Sequence, residues 1–140
     1  PTLLGPAGCG HAMKALNNYV SAAGLLASFQ ALATAKDAGI SPETFIKVIN
    51  SSTGRNNTTE VKLEKFVLPE TFNSGFALQL MAKDVNIARE LIETAGYTTP
   101  VTPALAAYLD SAVSALGQRA DHTALYSHVT DKSDAEGLDK

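Results

Sequence analysis

The chain has 140 residues, enough for one domain with a full hydrophobic core and too few for two ordinary domains. Its net charge of −3 offers no basic surface for nucleic acid, and no apolar run or leader suggests a membrane. The single cysteine, Cys9, excludes a disulfide framework, and the three histidines lack the spacing of metal ligands. We therefore expect a cytoplasmic protein that binds no nucleic acid, membrane or metal.

The first predicted helix covers residues 10–37 and is apolar on nearly every side, which is typical of a helix in the middle of a domain. It spans about 40 Å, and Gly39 predicts its end. Its polar residues form one stripe, because they recur at helical intervals: Lys14, Asn17, Asn18, Ser21 and Ser28. Lys14 either extends to solvent or is paired and used, and spacing alone favours the first interpretation.

Two shorter helices are predicted next. Ser41 is a suitable cap for a helix over residues 42–50, which has a proline in its first turn. Asn57 and Glu60 have the spacing of a capping box, which predicts a helix from there to about residue 66. The polar segment between these two helices is predicted to be a loop.

The second half of the chain predicts three more helices. Residues 77–94 form an amphipathic helix that ends at Gly96, residues 103–116 form the next, and Asp121 caps the last over 122–129. The inner side of the first of these carries Leu78, Met81, Val85, Ala88, Leu91 and Ile92. The sequence therefore predicts an all-α fold, a bundle of six or seven helices around a long central first helix.

Three motifs follow one another along the chain. The first is Gly8-x-Gly10 followed by Lys14-Ala15-Leu16-Asn17-Asn18. The second is Ser52-Thr53-Gly54-Arg55-Asn56, and the third is Phe76-Ala77-Leu78-Gln79-Leu80-Met81-Ala82-Lys83-Asp84-Val85. In this order they resemble the C-terminal domain of the β-hydroxyacid dehydrogenases, the 3-hydroxyisobutyrate dehydrogenase group. The resemblance covers about residues 5–116 and implies the helical fold of the related 6-phosphogluconate dehydrogenase C-terminal domain.

The resemblance implies roles for five residues. The family's lysine at the position of Lys14 is the catalytic acid/base, which exchanges a proton with the substrate hydroxyl while a hydride leaves for NAD or NADP. Asn18 matches the asparagine that orients the substrate. Phe76 and Asp84 match residues that line the substrate pocket, and Lys83 matches one that reaches the cofactor. A lysine suits this work when burial or a nearby cation lowers its pKa, and Lys83 could supply that charge.

Spacing alone leaves alternatives to these assignments. Lys83 and Asp84 could be an ordinary exposed pair on an amphipathic helix. Residues 51–57 could be only a turn between helices, in which Arg55 binds a carboxylate, binds the cofactor or touches nothing. The glycines before the first helix lack the preceding strand and the spacing of a dinucleotide-binding fingerprint. We expect them instead to let the chain enter the helix.

The family places a nucleotide-binding Rossmann domain before this region, and its glycine-rich loops do not occur in this sequence. We therefore interpret residues 1–9 as the segment that enters from an absent N-terminal domain, 10–130 as a helical substrate and dimerisation domain, and 131–140 as a frayed tail. On this interpretation the chain is the C-terminal domain of an NAD(P)-dependent dehydrogenase of short hydroxyacids. It should be inactive alone and should pair as a homodimer or a higher homo-oligomer.

Two alternatives to this function are open. Decarboxylating 6-phosphogluconate dehydrogenases carry a histidine just before the asparagine of the lysine motif, where this chain has Asn17. That difference favours the non-decarboxylating branch. The second alternative is a non-catalytic helical dimerisation module that has kept the family's residues. The choice between NAD and NADP is not predicted, because the residues that read the ribose lie in the Rossmann domain.

Overall fold

The computed structural model describes residues 8–132 and is helical throughout that range, apart from its turns and loops. The elements follow in the order α1 (Cys9–Asp37), α2 (Pro42–Asn50), a π-helix (Thr58–Val67), α3 (Leu78–Ala95), α4 (Val101–Leu116), a 3₁₀ turn (His122–Ala124) and α5 (Leu125–Val129). Extended pairing in the described range is limited to one isolated bridge between Ala77 and Asp121. The predicted all-α bundle is confirmed. Most of the predicted connecting segment and tail, residues 1–7 and 133–140, lie outside the described residues.

The first helix, α1, is the centre of the bundle, as its apolar sequence predicted. It contacts α2, the π-helix, α3 and α5. Gly8 precedes it with a φ of 94°, and Gly39 follows it with a φ of 90°, backbone angles that glycine adopts at no steric cost. Its buried side chains include Leu25, Phe29 and Leu32, which belong to the main core. None of the helices within residues 8–132 is both long and apolar enough to cross a bilayer.

Three predicted helix ends are confirmed by their capping contacts. The Ser41 hydroxyl accepts a hydrogen bond from the Thr44 backbone N–H at 3.2 Å and begins α2. Gly96 ends α3 with a φ of 87°. The Asp121 carboxylate accepts a hydrogen bond from the Thr123 N–H at 3.0 Å and begins the 3₁₀ turn. The side chains of Ser41 and Asp121 and the backbone N–H of Gly96 satisfy backbone groups that a helix terminus leaves without partners.

The third helix differs from the prediction in its cap and its winding. Asn57 has helical backbone angles and caps nothing. Asn56 is the cap instead, because its side-chain oxygen accepts from the N–H groups of Thr58 at 2.9 Å and Thr59 at 3.3 Å. The capping-box prediction was therefore wrong by one residue, since two adjacent asparagines offer the same side chain. The helix itself is wound as a π-helix, a rare form that no sequence interval indicated.

Two boundaries and one buried position also differ from the predictions. Helix α3 begins at Leu78, so Phe76 precedes the helix. Helix α4 begins two residues earlier than predicted, at Val101, because Pro103 can occupy its first turn, where no backbone N–H donor is needed. Leu91, which was predicted to face inward, is 37% exposed. These differences leave the core intact and fix where the side chains of α3 lie.

Candidate active site

Asp84 is the centre of a polar cluster where α1 crosses α3. Its side chain is only 9% exposed. The Asn18 side-chain amide donates a hydrogen bond to Asp84 Oδ2 at 2.6 Å, and Lys14 Nζ lies 3.7 Å from the same oxygen. Lys14 and Asn18 are four residues apart and therefore share one face of α1. A single carboxylate on α3 thus binds both of the predicted α1 site residues.

A cavity of about 320 Å³ lies beside this cluster. It brings together four of the five residues that the resemblance selected, Lys14, Phe76, Lys83 and Asp84. Asn18 does not line the cavity, but it is bonded to Asp84, which does. Lys83 is only one residue from Asp84 and leaves α3 about 100° further round, yet its long side chain still lines the same cavity.

The cavity is lined by both cationic and apolar side chains. The Lys14 side chain is 68% exposed, so it extends towards solvent as well as pairing with Asp84. Lys83 is exposed and makes no ion pair with any residue in the described range. Phe76, Leu80 and Ile87 form the apolar part. Amines beside apolar side chains suit a small organic anion.

The segment that carries Phe76 is attached to the 3₁₀ turn. The Phe76 carbonyl accepts a hydrogen bond from the His122 backbone N–H at 2.8 Å and lies 3.1 Å from His122 Nδ1. The two rings meet edge to face, with their centroids 5.4 Å apart. The Leu78 N–H donates to the Ala120 carbonyl at 2.8 Å. The position of Phe76 above the cavity therefore depends on residues 120–122.

Asp121 accepts more hydrogen bonds than Asp84 does. Ser74 Oγ lies 2.9 Å from each of its oxygens, and the Gly75 N–H donates to Oδ1 at 2.9 Å. The backbone N–H and hydroxyl of Thr123 both donate to Oδ2. Burial alone would raise the pKa of Asp121, but these bonds outweigh it and lower the pKa. We call Ser74, Asp121, His122 and Thr123 the clasp.

His122 is the buried, titratable member of the clasp. It is 3% exposed, and its pKa is lowered first by burial and then by the positive charge of Lys62. The imidazole is therefore held in its neutral form near neutral pH. Ser74 Oγ lies 3.1 Å from His122 Nδ1, which connects the histidine to the carboxylate.

Sequence reasoning missed two parts of this region. His11 lines the cavity, and its position three residues before Lys14, on the same helix face, was an available signal. The clasp joins Ser74 to Asp121, 47 positions later, and no local spacing indicates that contact. Arg55 is exposed and does not line the cavity, and its side chain makes no hydrogen bond or ion pair with other described residues; its backbone N–H bonds to the Ser52 carbonyl.

Comparison with known proteins shows which family the chain belongs to. Residues 8–129 match the family described as NAD-binding of NADP-dependent 3-hydroxyisobutyrate dehydrogenase. Because the match covers most of the chain, the protein belongs to this hydroxyacid dehydrogenase family. The expected resemblance is thereby confirmed.

Individual relatives agree with the family. The chain is 33% identical over 99 residues to 2-(hydroxymethyl)glutarate dehydrogenase of Eubacterium barkeri, covering 71% of this chain and 33% of that protein. It is 35% identical over 103 residues to the probable mitochondrial 3-hydroxyisobutyrate dehydrogenase of Arabidopsis thaliana, covering 69% of this chain and 30% of that protein. The solved structure of Mycobacterium tuberculosis 3-hydroxyisobutyrate dehydrogenase with L-serine superposes with a TM-score of 0.78 at 26% identity. The superposition covers 91% of this chain and 45% of that one. The chain thus spans about a third of the length of these curated relatives.

Proposed function

We propose that this chain is the helical half of an NAD(P)-dependent dehydrogenase that oxidises a short hydroxyacid, with Lys14 as the acid/base. The main support is the cluster in which Asn18 and Lys14 lie 2.6 Å and 3.7 Å from one oxygen of Asp84. The cluster borders a cavity of a size that suits a small acid. It provides a proton-accepting amine, an amide and a carboxylate in fixed relation to one another.

Each member of the cluster has a chemical task in this proposal. Lys14 Nζ accepts the proton of the substrate hydroxyl as the neighbouring C–H bond breaks and its electron pair leaves as hydride. Asp84 stabilises the ammonium group that forms on Lys14. The Asn18 amide has two N–H donors, and only one is used by Asp84, so the second can orient the substrate oxygen.

The residues around the cavity also fit a dinucleotide cofactor. Lys83 is an exposed cation that lines the cavity and has no ion-pair partner within residues 8–132, so it can bind an anionic group of NAD or NADP. When bound, the nicotinamide accepts the hydride. We propose that a Rossmann domain preceding this region binds most of the cofactor, which agrees with the chain spanning a third of its relatives.

The substrate class follows from the names of the relatives. 3-Hydroxyisobutyrate and 2-(hydroxymethyl)glutarate both carry a hydroxymethyl group on the carbon that bears a carboxylate. Phe76 suits the hydrocarbon part of such an acid. We therefore propose a 2-substituted 3-hydroxypropanoate as the substrate of this chain's site.

We also propose that the protein is a cytoplasmic homodimer or higher homo-oligomer. Apolar side chains of α1 and α4 line one open surface and support the pairing; they include Ala23, Leu26 and Val101, of which Val101 is 57% exposed. Sedimentation at micromolar concentration should give a species of at least twice the mass of the chain. A monomer over the whole concentration range would contradict the pairing.

The acid/base assignment is tested by the Lys14→Ala variant of the whole gene product. We expect turnover, followed by nicotinamide absorbance, to fall about 100- to 10,000-fold, which is the usual contribution of a positioned acid/base. The control is Lys132→Ala, which removes another exposed lysine that pairs with an aspartate. Equal turnover of every short hydroxyacid by Lys14→Ala and the parent protein would refute the role of Lys14. Release of carbon dioxide with NAD(P)H would instead favour the decarboxylating alternative.

A further inference from the structure

A second polar site lies further along α1 from the candidate active site. It is a groove of about 430 Å³ between α1 and the start of the π-helix. We call it the polar groove, and its lining residues are Asn17, Val20, Ser21, Gly24, Asn56, Asn57 and Thr58. All of them are uncharged, and most carry an amide or a hydroxyl. This chemistry differs from that of the cationic cavity at Lys14.

Thr58 supplies the main evidence that the polar groove binds a ligand. It is 2% exposed, and its backbone N–H bonds to Asn56, but its hydroxyl has no hydrogen-bond partner within residues 8–132. The hydroxyl is not enclosed, because the sole fully enclosed side-chain N or O atom without a partner in that range is Asn50 Oδ1. It therefore keeps a small solvent-accessible surface, and Thr58 lines the groove. Such a group loses most of its hydration without gaining a protein partner, and a ligand can supply the missing bond.

Two other side chains in the polar groove also have few hydrogen-bond partners. The Ser21 hydroxyl has no partner in the described part of the chain, and the Asn17 amide makes only one long bond, 3.4 Å to Asn18 Oδ1. Asn56 shows the opposite behaviour. Its amide donates to Ser28 and to the backbone, and its oxygen accepts from Thr58. Asn56 therefore maintains the structure, while Ser21 and Asn17 have hydrogen-bonding groups available for a ligand.

The polar groove is within reach of a molecule bound at Lys14. Ser21 follows Lys14 by seven residues, which places it on the same face of α1 and about 10 Å further along the helix. Asn17 lies between them and contacts Asn18 of the active-site cluster. A substrate whose hydroxyl lies at Lys14 can therefore reach the groove with an extended chain of about eight bonds, at about 1.2 Å per bond.

The lining favours an uncharged group over an anion. The backbone N–H groups of Thr58 and Thr59, which could otherwise attract an anion at a helix start, are already bonded to Asn56 Oδ1. No lysine or arginine lines the polar groove. We infer that the polar groove is a specificity subsite for an uncharged hydroxyl or carboxamide at the far end of the substrate. This inference rests on the proposed dehydrogenase function.

The test uses three acids that share a hydroxymethyl group beside the carboxylate and differ at the far end. One ends in a carboxamide, the second in a carboxylate and the third in an isopropyl group of similar size. The whole gene product should have its highest kcat/KM with the carboxamide. In Thr58→Val the preference for the carboxamide over the isopropyl acid should fall about three- to tenfold, the contribution of one neutral hydrogen bond. The third acid should be unaffected.

Two further variants complete the comparison. Ser21→Ala should reduce the same preference, and it tests the inference if the buried position of Thr58 does not tolerate valine. Thr94→Val makes the same substitution at an exposed position on α3 and should change nothing. An unchanged preference in both groove variants, or a carboxylate acid as the best substrate, would overturn the inference.

A binding measurement separates this inference from the dehydrogenase proposal. The carboxamide acid is titrated into the ¹⁵N-labelled chain, and the backbone amide signals of Ser21 and Thr58 are followed by NMR. Shifts of these signals without turnover of any acid would retain the subsite and refute the dehydrogenase proposal. Signals that do not move with any of the three acids would refute the subsite, whether or not turnover occurs.

Discussion

Asp84 and Asp121 both have side chains that are only 9% exposed, yet the structure uses them differently. Both oxygens of Asp121 accept hydrogen bonds from Ser74, and further donors come from Gly75 and Thr123. Asp84 accepts one hydrogen bond, from Asn18, and pairs with Lys14 on the same oxygen. Its other oxygen has no hydrogen-bond partner within residues 8–132. The Asp121 carboxylate therefore has its hydrogen-bond acceptors filled by groups of its own chain. The Asp84 carboxylate lies beside an open cavity and can still accept hydrogen bonds.

This contrast distinguishes a structural polar cluster from one that is available for chemistry. A mutation in a saturated buried cluster lowers the free energy of unfolding, because the donors that remain have no other partners. An unsaturated cluster next to a cavity contributes less to stability and leaves donors for a ligand. Mutations in the clasp should therefore affect stability, and mutations in the Lys14 cluster should affect catalysis.

The largest effect on stability is expected from Asp121→Ala. It leaves the Gly75 and Thr123 N–H groups and the Ser74 hydroxyl without their acceptor, so the free energy of unfolding should fall by about 2–4 kcal/mol. Urea unfolding, monitored by circular dichroism, measures this loss in free energy. Asp37→Ala removes an aspartate from an exposed ion pair and should cost under about 1 kcal/mol. Equal losses in the two variants would remove the distinction between the clasp and an ordinary surface pair.

A smaller effect, on catalysis, is expected from Asn18→Ala. The substitution removes the donor to Asp84 and the free N–H proposed for the substrate. We expect kcat/KM to fall about ten- to a hundredfold, corresponding to one or two hydrogen bonds to charged groups. Stability should fall by no more than about 1 kcal/mol. Steady-state kinetics and urea unfolding on the same sample measure both, and a purely structural asparagine would give the reverse pattern.

The pH dependence of stability should depend on His122. Its folded-state pKa lies below the ordinary value of 6.5, so its contribution is complete above that pH and is lost as pH falls towards the folded-state pKa. The free energy of unfolding should therefore decrease as the pH falls below about 6.5. His122→Gln should reduce this decrease, whereas His128→Gln, outside the clasp, should retain it. A decrease that is unchanged in His122→Gln would show that other groups cause it.

The smallest effect is expected in the polar groove, from Gly24→Ala. A Cβ there would lie 3.6 Å from the Asn56 side chain, an ordinary contact, in the middle of α1. Alanine should stabilise the helix by about 0.5–1 kcal/mol. Gly39→Ala is the control and should be destabilising, because Gly39 has a φ of 90° and alanine would be strained there. Destabilisation by Gly24→Ala would show that the groove lacks the room described above.

The sequence was sufficient for the parts of the molecule that local chemistry determines. Helix ends at Ser41, Gly96 and Asp121 were predictable because each residue acts within a few positions of itself. Lys14 and Asn18 were predictable as neighbours because they are one helical turn apart. The clasp was not, since Asp121 meets Ser74 only after α3 and α4 have folded back on each other. The π-helix was not either, because it offers no distinct sequence interval.

The role of Lys14 as a proton acceptor is tested most directly by chemical rescue. In Lys14→Ala the lost amine can be supplied from solution, and ethylamine has the size of the missing end of the side chain. We expect ethylamine to restore part of the turnover in proportion to its free-base concentration, with no effect on Lys83→Ala. An absence of rescue over the whole pH range, or equal rescue of both variants, would contradict proton transfer by Lys14.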